Sequence, residues 1–228
     1  MELYYQRLKK FEEQVSIYPV SCEALCGGRS DRQWLDAVLT GGAKVVQLRD
    51  KASSDAALLE KARYFRQKTR EADALFLVND RLDIGLLAEA DGIHVGSKDL
   101  PPEEIRRLAP DFIIGLSCNN EQQVRELGDK VRRGESAISY YNIGPLYQTE
   151  TKEDLQSFLG SAAIQRFSSL CSAPFTVMGG IKLEHVGELV KAGAKRIAVV
   201  TAISQAEDII AETDLWIKTI KAAGNELG

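Results

Sequence analysis

The segment Gln47-Leu48-Arg49-Asp50-Lys51 sets an amide and two cations at every second position. Alternate residues of an extended strand share a face, so Gln47, Arg49 and Lys51 point the same way. Cations on the inward face of a sheet are costly unless they meet opposite charge. One reading is a salt-bridged strand end; the sharper one is a clamp for an anion. Asn79-Asp80 and Gly96-Ser97-Lys98-Asp99 each follow an apolar run, and those runs are successive. If neighbouring strands carry them, the carboxylates of Asp80 and Asp99 converge. Two hard oxygen ligands beside an anion clamp suit Mg²⁺, which keeps waters and shares the phosphate oxygens of a ligand. Either aspartate alone reads more simply as a helix cap or a turn. Their joint placement opposite Arg49 and Lys51 is what points to a metal.

Other candidates also end apolar runs. Ser117 closes FIIGLS, with Cys118 behind it. A nucleophilic pair would need a histidine, and the parity of His94 places it inside or under the sheet as a satisfied core residue. Cys118 is therefore read as a bystander, and no Cys–His or Ser–His pair is expected. The string Gly144-Pro145-Leu146-Tyr147-Gln148-Thr149-Glu150-Thr151-Lys152 is either a solvated loop or a lid that delivers Thr149, Thr151 and Lys152 to phosphate. Gly179-Gly180 and Val200-Thr201 end two further runs, where glycine lets backbone approach a phosphate closely.

These residues need strands to hold them. Eight short runs recur: 16–21, 44–48, 75–78, 91–95, 112–116, 137–143, 175–178 and 196–200. Several are continuously apolar, as parallel strands covered on both faces are. Helical spacing predicts helices over 31–39, 55–70, 82–89, 103–108, 121–131, 183–192 and 206–222, with Ser54 and Asn120 as N-caps. Eight βα units predict a closed (β/α)8 TIM barrel, with 1–228 as a single domain and 1–14 as an extra N-terminal helix. Active sites of such barrels gather at the C-terminal ends of the strands, and the loops after the last two strands commonly hold phosphate.

The chain has 228 residues, 44% apolar and 27% charged, which suits an ordinary globular domain. Its net charge is −4, with both signs interspersed, so neither nucleic acid nor a membrane surface is an expected partner. No stretch approaches the roughly 18 apolar residues that span a bilayer. Cys22, Cys26, Cys118 and Cys171 form no CxxC pair, which fits a reducing cytoplasm better than a disulfide framework or a zinc site.

The stretches VVQLRDK, LFLVNDRLDIGLLAEADGIHVGSKDLP, IIGLS, NIGPLYQTETKED, VMGGI and AVVTAIS, in this order on successive strands, resemble the thiamine phosphate synthase family from about Tyr18 to Ile203. The resemblance implies a barrel enzyme, a transferase. It joins hydroxymethylpyrimidine diphosphate to hydroxyethylthiazole phosphate, giving thiamine phosphate and pyrophosphate with Mg²⁺. It implies that Gln47, Arg49, Lys51, Asn79, Ser117 and Lys152 line the pyrimidine diphosphate site. Asp80 and Asp99 match the metal ligands, and Thr149, Thr151, Gly180, Val200 and Thr201 match the thiazole phosphate site. Arg49, Lys51, Lys152 and Ser117 are the catalytic candidates. Gln148 departs from a common proline, Cys118-Asn119 from Thr-His, and Thr201 from serine; none removes a matched charge. A related thiazole tautomerase would need neither the Gln47/Arg49/Lys51 set nor both carboxylates. A sugar-phosphate isomerase would need a general base, and a non-catalytic thiamine phosphate sensor could lose the metal pair. The expected partners are small-molecule substrates, and a homo-oligomer is left open.

Overall fold

The computed structural model describes residues 2–148 and 158–226. Helix α1 (Glu2–Gln14) precedes eight strands: β1 (Ile17–Pro19), β2 (Val45–Leu48), β3 (Leu75–Asn79), β4 (Gly92–Val95), β5 (Ile113–Cys118), β6 (Tyr140–Ile143), β7 (Phe175–Val177) and β8 (Ile197–Val199). The strands pair in parallel in the order β1-β8-β7-β6-β5-β4-β3-β2. A bridge from Val20 to Gln47, with the Ser21 amide on the Gln47 carbonyl at 2.9 Å, brings β1 back to β2 and closes the barrel. A helix follows each strand: α2 (Asp31–Thr40), α3 (Asp55–Glu71), α4 (Leu82–Leu87), α5 (Pro102–Leu108), α6 (Glu121–Arg132), α7 (Ala162–Leu170) and α8 (Val186–Lys191). After β8 come a short α9 (Thr201–Ser204) and a long α10 (Ile209–Asn225). All eight expected strands are present, and the fold is the (β/α)8 TIM barrel.

Local chemistry sets the helix starts. Ser54 accepts the Ala57 amide, Asn120 the Gln123 amide and Asp208 the Ala211 amide, each satisfying an otherwise orphaned donor. Two differences from the sequence expectation have physical reasons. No helix was expected between the sixth and seventh strands. Yet α7 forms, because Ala163, Ile164 and Phe167 bury one face against the barrel while its serine-rich sequence and uncapped start carry little local signal. The last helix was expected from 206; instead α9 closes before the Asp208 cap opens α10.

Strand alternation divides the core in two. Val46 and Leu48 face the helices, while Val45 joins the inner cluster of Tyr18, Val20, Leu75, Leu77, Ile113, Tyr140 and Ala198. Helix α1 plugs the end of the barrel away from the strand C-termini. Its Phe11 is fully buried and stacks on Tyr140 with ring centroids 4.6 Å apart. Arg196 donates to the Phe11 carbonyl at 3.0 Å and to that of Glu12 at 2.7 Å. Arg7 pairs with Asp91 at 3.1 Å, and Asp91 is also held by Arg66 at 2.7 Å. The plug is thus an integral part of the core. Replacing Phe11 by Ala should lower the unfolding free energy by about 3–5 kcal/mol, seen as an earlier urea midpoint. An unchanged midpoint would contradict the plug.

Candidate active site

The residues singled out on β2 part company by face. Gln47, on the inward face, lines a cavity at the C-terminal end of the barrel, together with Arg49, Asn79 and Ser117. The cavity encloses about 620 Å³ of empty space, part of it open to solvent. The Arg49 amide is fixed by the Ser21 hydroxyl at 3.1 Å, and among the described residues its guanidinium reaches only the Cys22 sulfur, at 4.0 Å. Among the described residues no carboxylate pairs with Arg49. Among the described residues, then, the salt-bridged reading of this strand end has no partner for Arg49.

Asp50, between the two cations, turns away from them. Its carboxylate accepts from Lys61 of α3 at 2.5 Å, and it caps the turn through the Ala52 and Ser53 amides. Lys61 also reaches Asp31 and Glu23, both at 2.7 Å. Glu23, Asp31 and Asp50 could by spacing hold a metal ion, but the Lys61 ammonium already stands among them. Burial opposes the Lys61 charge, and the three carboxylates overcome that and hold its pKa above the ordinary range. The two buried aspartates respond oppositely. Burial dominates at Asp31, whose Oδ1 has no partner, and pushes its pKa up. At Asp50 burial is outweighed by hydrogen bonds from Lys61 and Ser53, and the pKa falls.

Asp80 and Asp99 do converge. Burial raises the Asp80 pKa, the negative charge of Asp99 raises it further, and Lys51, 3.6 Å away, pulls it down. Asp80 adopts φ 60°, a left-handed conformation uncommon for a non-glycine residue, with its amide on the His94 carbonyl at 2.9 Å. Asp99 sits in the turn after β4, where its Oδ2 accepts the Gly96 amide at 2.7 Å. The donor set fits Mg²⁺: two neighbouring carboxylates, hard in character, with one exposed lysine as their only cation among the described residues.

Inside the cavity the structure shows a chain of hydrogen bonds that the sequence reading missed. The Ser117 hydroxyl meets His94 Nε2 at 2.9 Å, and His94 Nδ1 meets the Tyr140 hydroxyl at 2.9 Å. That hydroxyl meets the Tyr18 hydroxyl at 2.9 Å, and Gln47 Nε2 donates to Tyr18 at 2.8 Å. The expectation of no Ser–His pair is thereby corrected. His94 is interior, as its parity required, but it serves the site. Gly115 makes this possible, because a Cβ there would lie 2.2 Å from Tyr140 Cζ and 2.5 Å from His94 Nδ1. The signal available in the sequence was parity: Gly115 and Ser117, like Tyr140 and Asn142, alternate inward. Cys118 faces the other way, buried, and burial pushes its thiol up to about 12. It is no nucleophile at neutral pH.

Beside this cavity lies a smaller one of about 280 Å³, lined by Gly179, Gly180, Val200 and Thr201. Both glycines have positive φ, and the loop after β6 uses the space they leave: a Cβ on Gly180 would fall 2.1 Å from the Gln148 carbonyl oxygen. The Gly-Gly step thus seats that loop. Thr149, Thr151 and Lys152 lie outside the described residues.

A family model described as thiamine monophosphate synthase matches residues 17–203. The chain belongs to the thiamine monophosphate synthase family. The thiamine-phosphate synthase of Shouchella clausii is 34% identical over 208 residues, covering 91% of this chain and 97% of that protein. That of Methanospirillum hungatei is 38% identical over 196 residues, 86% of this chain and 92% of its own. Among solved structures, the thiamine phosphate pyrophosphorylase of Pyrococcus furiosus superposes with a TM-score of 0.82 at 28% identity, covering 93% of this chain and 98% of that one. The family match spans every strand of the barrel, from Ile17 in β1 to the residues just after β8.

Within this family member, Lys61 gathers three acidic groups behind the clamp. Removing it as Lys61→Met leaves the buried carboxylates of Asp31 and Asp50 without their cation. Urea unfolding should show a loss of roughly 3 kcal/mol, the scale for breaking a buried ion pair from one side. Wild-type stability would show that Lys61 does not neutralise them.

Proposed function

We propose that this chain is a thiamine phosphate synthase. It joins an aminopyrimidine methyl diphosphate to a thiazole phosphate and releases pyrophosphate. The observation that carries the reading is the Arg49 guanidinium, unpaired by any described carboxylate, on the same rim as the converging Asp80 and Asp99.

The bond that breaks joins the pyrimidine methylene carbon to the bridging oxygen of the diphosphate. Its electrons leave with pyrophosphate, and the ring amine stabilises the positive charge left on carbon. Arg49, Lys51 and Lys152 would take up the negative charge of the leaving group. Asp80 and Asp99 would hold Mg²⁺, which supplies Lewis-acid neutralisation of the polyphosphate when bound. Gln47, Asn79 and Ser117 orient the ring in the cavity, with Ser117 itself held by His94. The thiazole nitrogen then forms the new bond to carbon. Thr149, Thr151, Gly180, Val200 and Thr201 hold the second substrate by its phosphate, so that remote binding positions the reacting nitrogen. No protein nucleophile enters the scheme, in keeping with the buried Cys118 thiol.

The whole chain, 1–228, is read as one unit with α1 as its N-terminal extension, working on small molecules in the cytoplasm. No helix among the described residues is long and apolar enough to cross a membrane. With both purified substrates, pyrophosphate and thiamine phosphate should appear together and only with Mg²⁺. Lys152→Ala should lower turnover by about 100-fold, the scale of losing one strong electrostatic donor. Full turnover in excess chelator, or in the Lys152→Ala enzyme, would contradict the scheme.

A further inference from the structure

The central cavity holds one polar pair to which no role has been given. Asn142 of β6 is 6% exposed and Thr176 of β7 is 1% exposed, and both line the cavity. They are register neighbours across the β6–β7 ladder, and Asn142 is in turn the neighbour of Ser117 on β5. The Thr176 hydroxyl donates to Asn142 Oδ1 at 2.8 Å. In this arrangement Oδ1 accepts from Thr176, and among the described residues nothing takes the hydrogens of Nδ2. A buried amide donor with no acceptor is costly, and proteins rarely keep one without a partner. Nδ2 escapes that cost only because it borders the cavity.

Gln47 stands across the barrel on β2 in the complementary state. One Nε2 hydrogen goes to the Tyr18 hydroxyl, which turns the amide so that Oε1, an acceptor with no donor among the described residues, is left for whatever fills the cavity. One wall therefore offers an acceptor and the facing wall a donor. Between them Val20, Met178, Ala198 and Val200 give an apolar surface that suits the face of a flat ring. An aminopyrimidine has the matching pattern: an exocyclic amine that donates and, across the ring from it, a nitrogen that accepts.

We infer that Asn142, oriented by Thr176, is a specificity-determining residue that donates a hydrogen bond to the ring nitrogen opposite the amine. Thr176 acts through Asn142 as a positioning residue. The inference rests on the proposed reading that an aminopyrimidine diphosphate occupies this cavity. It adds a residue that the diphosphate clamp and the metal pair do not require. Discrimination then follows from the cost of an unpaired donor. A ring with a C–H in place of that nitrogen leaves Nδ2 buried without a partner.

The test pairs two changes, one in the protein and one in the ligand. Binding of the aminopyrimidine diphosphate is measured by calorimetry for the wild type, Asn142→Ala, Asn142→Asp and Thr176→Val. The measurement is repeated with the aminopyridine analogue that carries C–H at the position in question, and with inorganic pyrophosphate. The wild type should prefer the pyrimidine over the pyridine by about tenfold or more, the scale of one buried hydrogen bond. Asn142→Ala and Asn142→Asp should bind both rings with nearly equal affinity, and Thr176→Val should lie between. Pyrophosphate affinity should be unchanged in all four, which shows that the fold and the clamp survive. A pyrimidine preference that persists in Asn142→Ala overturns the inference, as does an equal loss of pyrophosphate affinity. A wild type that makes thiamine phosphate while Asn142→Ala keeps its preference sinks only this inference. A wild type that turns over neither substrate sinks the functional reading beneath it.

Discussion

The site depends on the sorting of charge by strand alternation along five residues. Gln47 and Arg49 turn to the cavity, Lys51 reaches Asp80, and Asp50 turns to the other side. Had Asp50 faced inward, it would have neutralised Arg49. Instead Lys61 of the following helix receives it, along with Asp31 and Glu23. A cation inside a low-dielectric barrel is costly without an opposite charge. Its persistence is intelligible if an anionic ligand supplies that charge. Asp80 and Asp99 show the converse strain, two anions held close enough that one raises the pKa of the other. A polyphosphate with a divalent cation relieves both at once.

Below this rim the barrel is rigid for reasons of its own. The chain from Ser117 through His94, Tyr140 and Tyr18 to Gln47 crosses the interior and ties two cavity-lining residues to one network. Burial pushes the Tyr18 and Tyr140 phenols well above their ordinary pKa, so both stay neutral and serve as hydrogen-bonding groups. Phe11 closes the network from beneath by stacking on Tyr140. A helix before the first strand, remote from the rim, thus supports the geometry of the cavity through the Phe11 ring, which meets both Tyr140 and Tyr18.

How much of this the sequence could reveal follows from which signals are local. The eight strands were legible because each is an apolar run bounded by turn residues, and Arg49, Asp80 and Asp99 because charges at strand ends stand out against such runs. His94, Tyr140 and Asn142 were not, because a polar residue within a strand has the same appearance whether it is satisfied by its neighbours or aimed at a ligand. Helix α7 was missed because its stability comes from burying Ala163, Ile164 and Phe167, a tertiary contribution with no cap to announce it. The Gly-Gly step after β7 was marked as a place where backbone could approach a phosphate. That the loop after β6 shares the space became visible only in three dimensions.

The account stands or falls on a diphosphate lying over Arg49 with a divalent cation between Asp80 and Asp99. Anomalous diffraction from crystals soaked with Mn²⁺ and pyrophosphate addresses this directly. The account predicts one strong manganese peak shared by Asp80, Asp99 and a pyrophosphate oxygen, with the anion within hydrogen-bond reach of Arg49. Manganese among Glu23, Asp31 and Asp50 instead, or pyrophosphate bound away from Arg49, would contradict it.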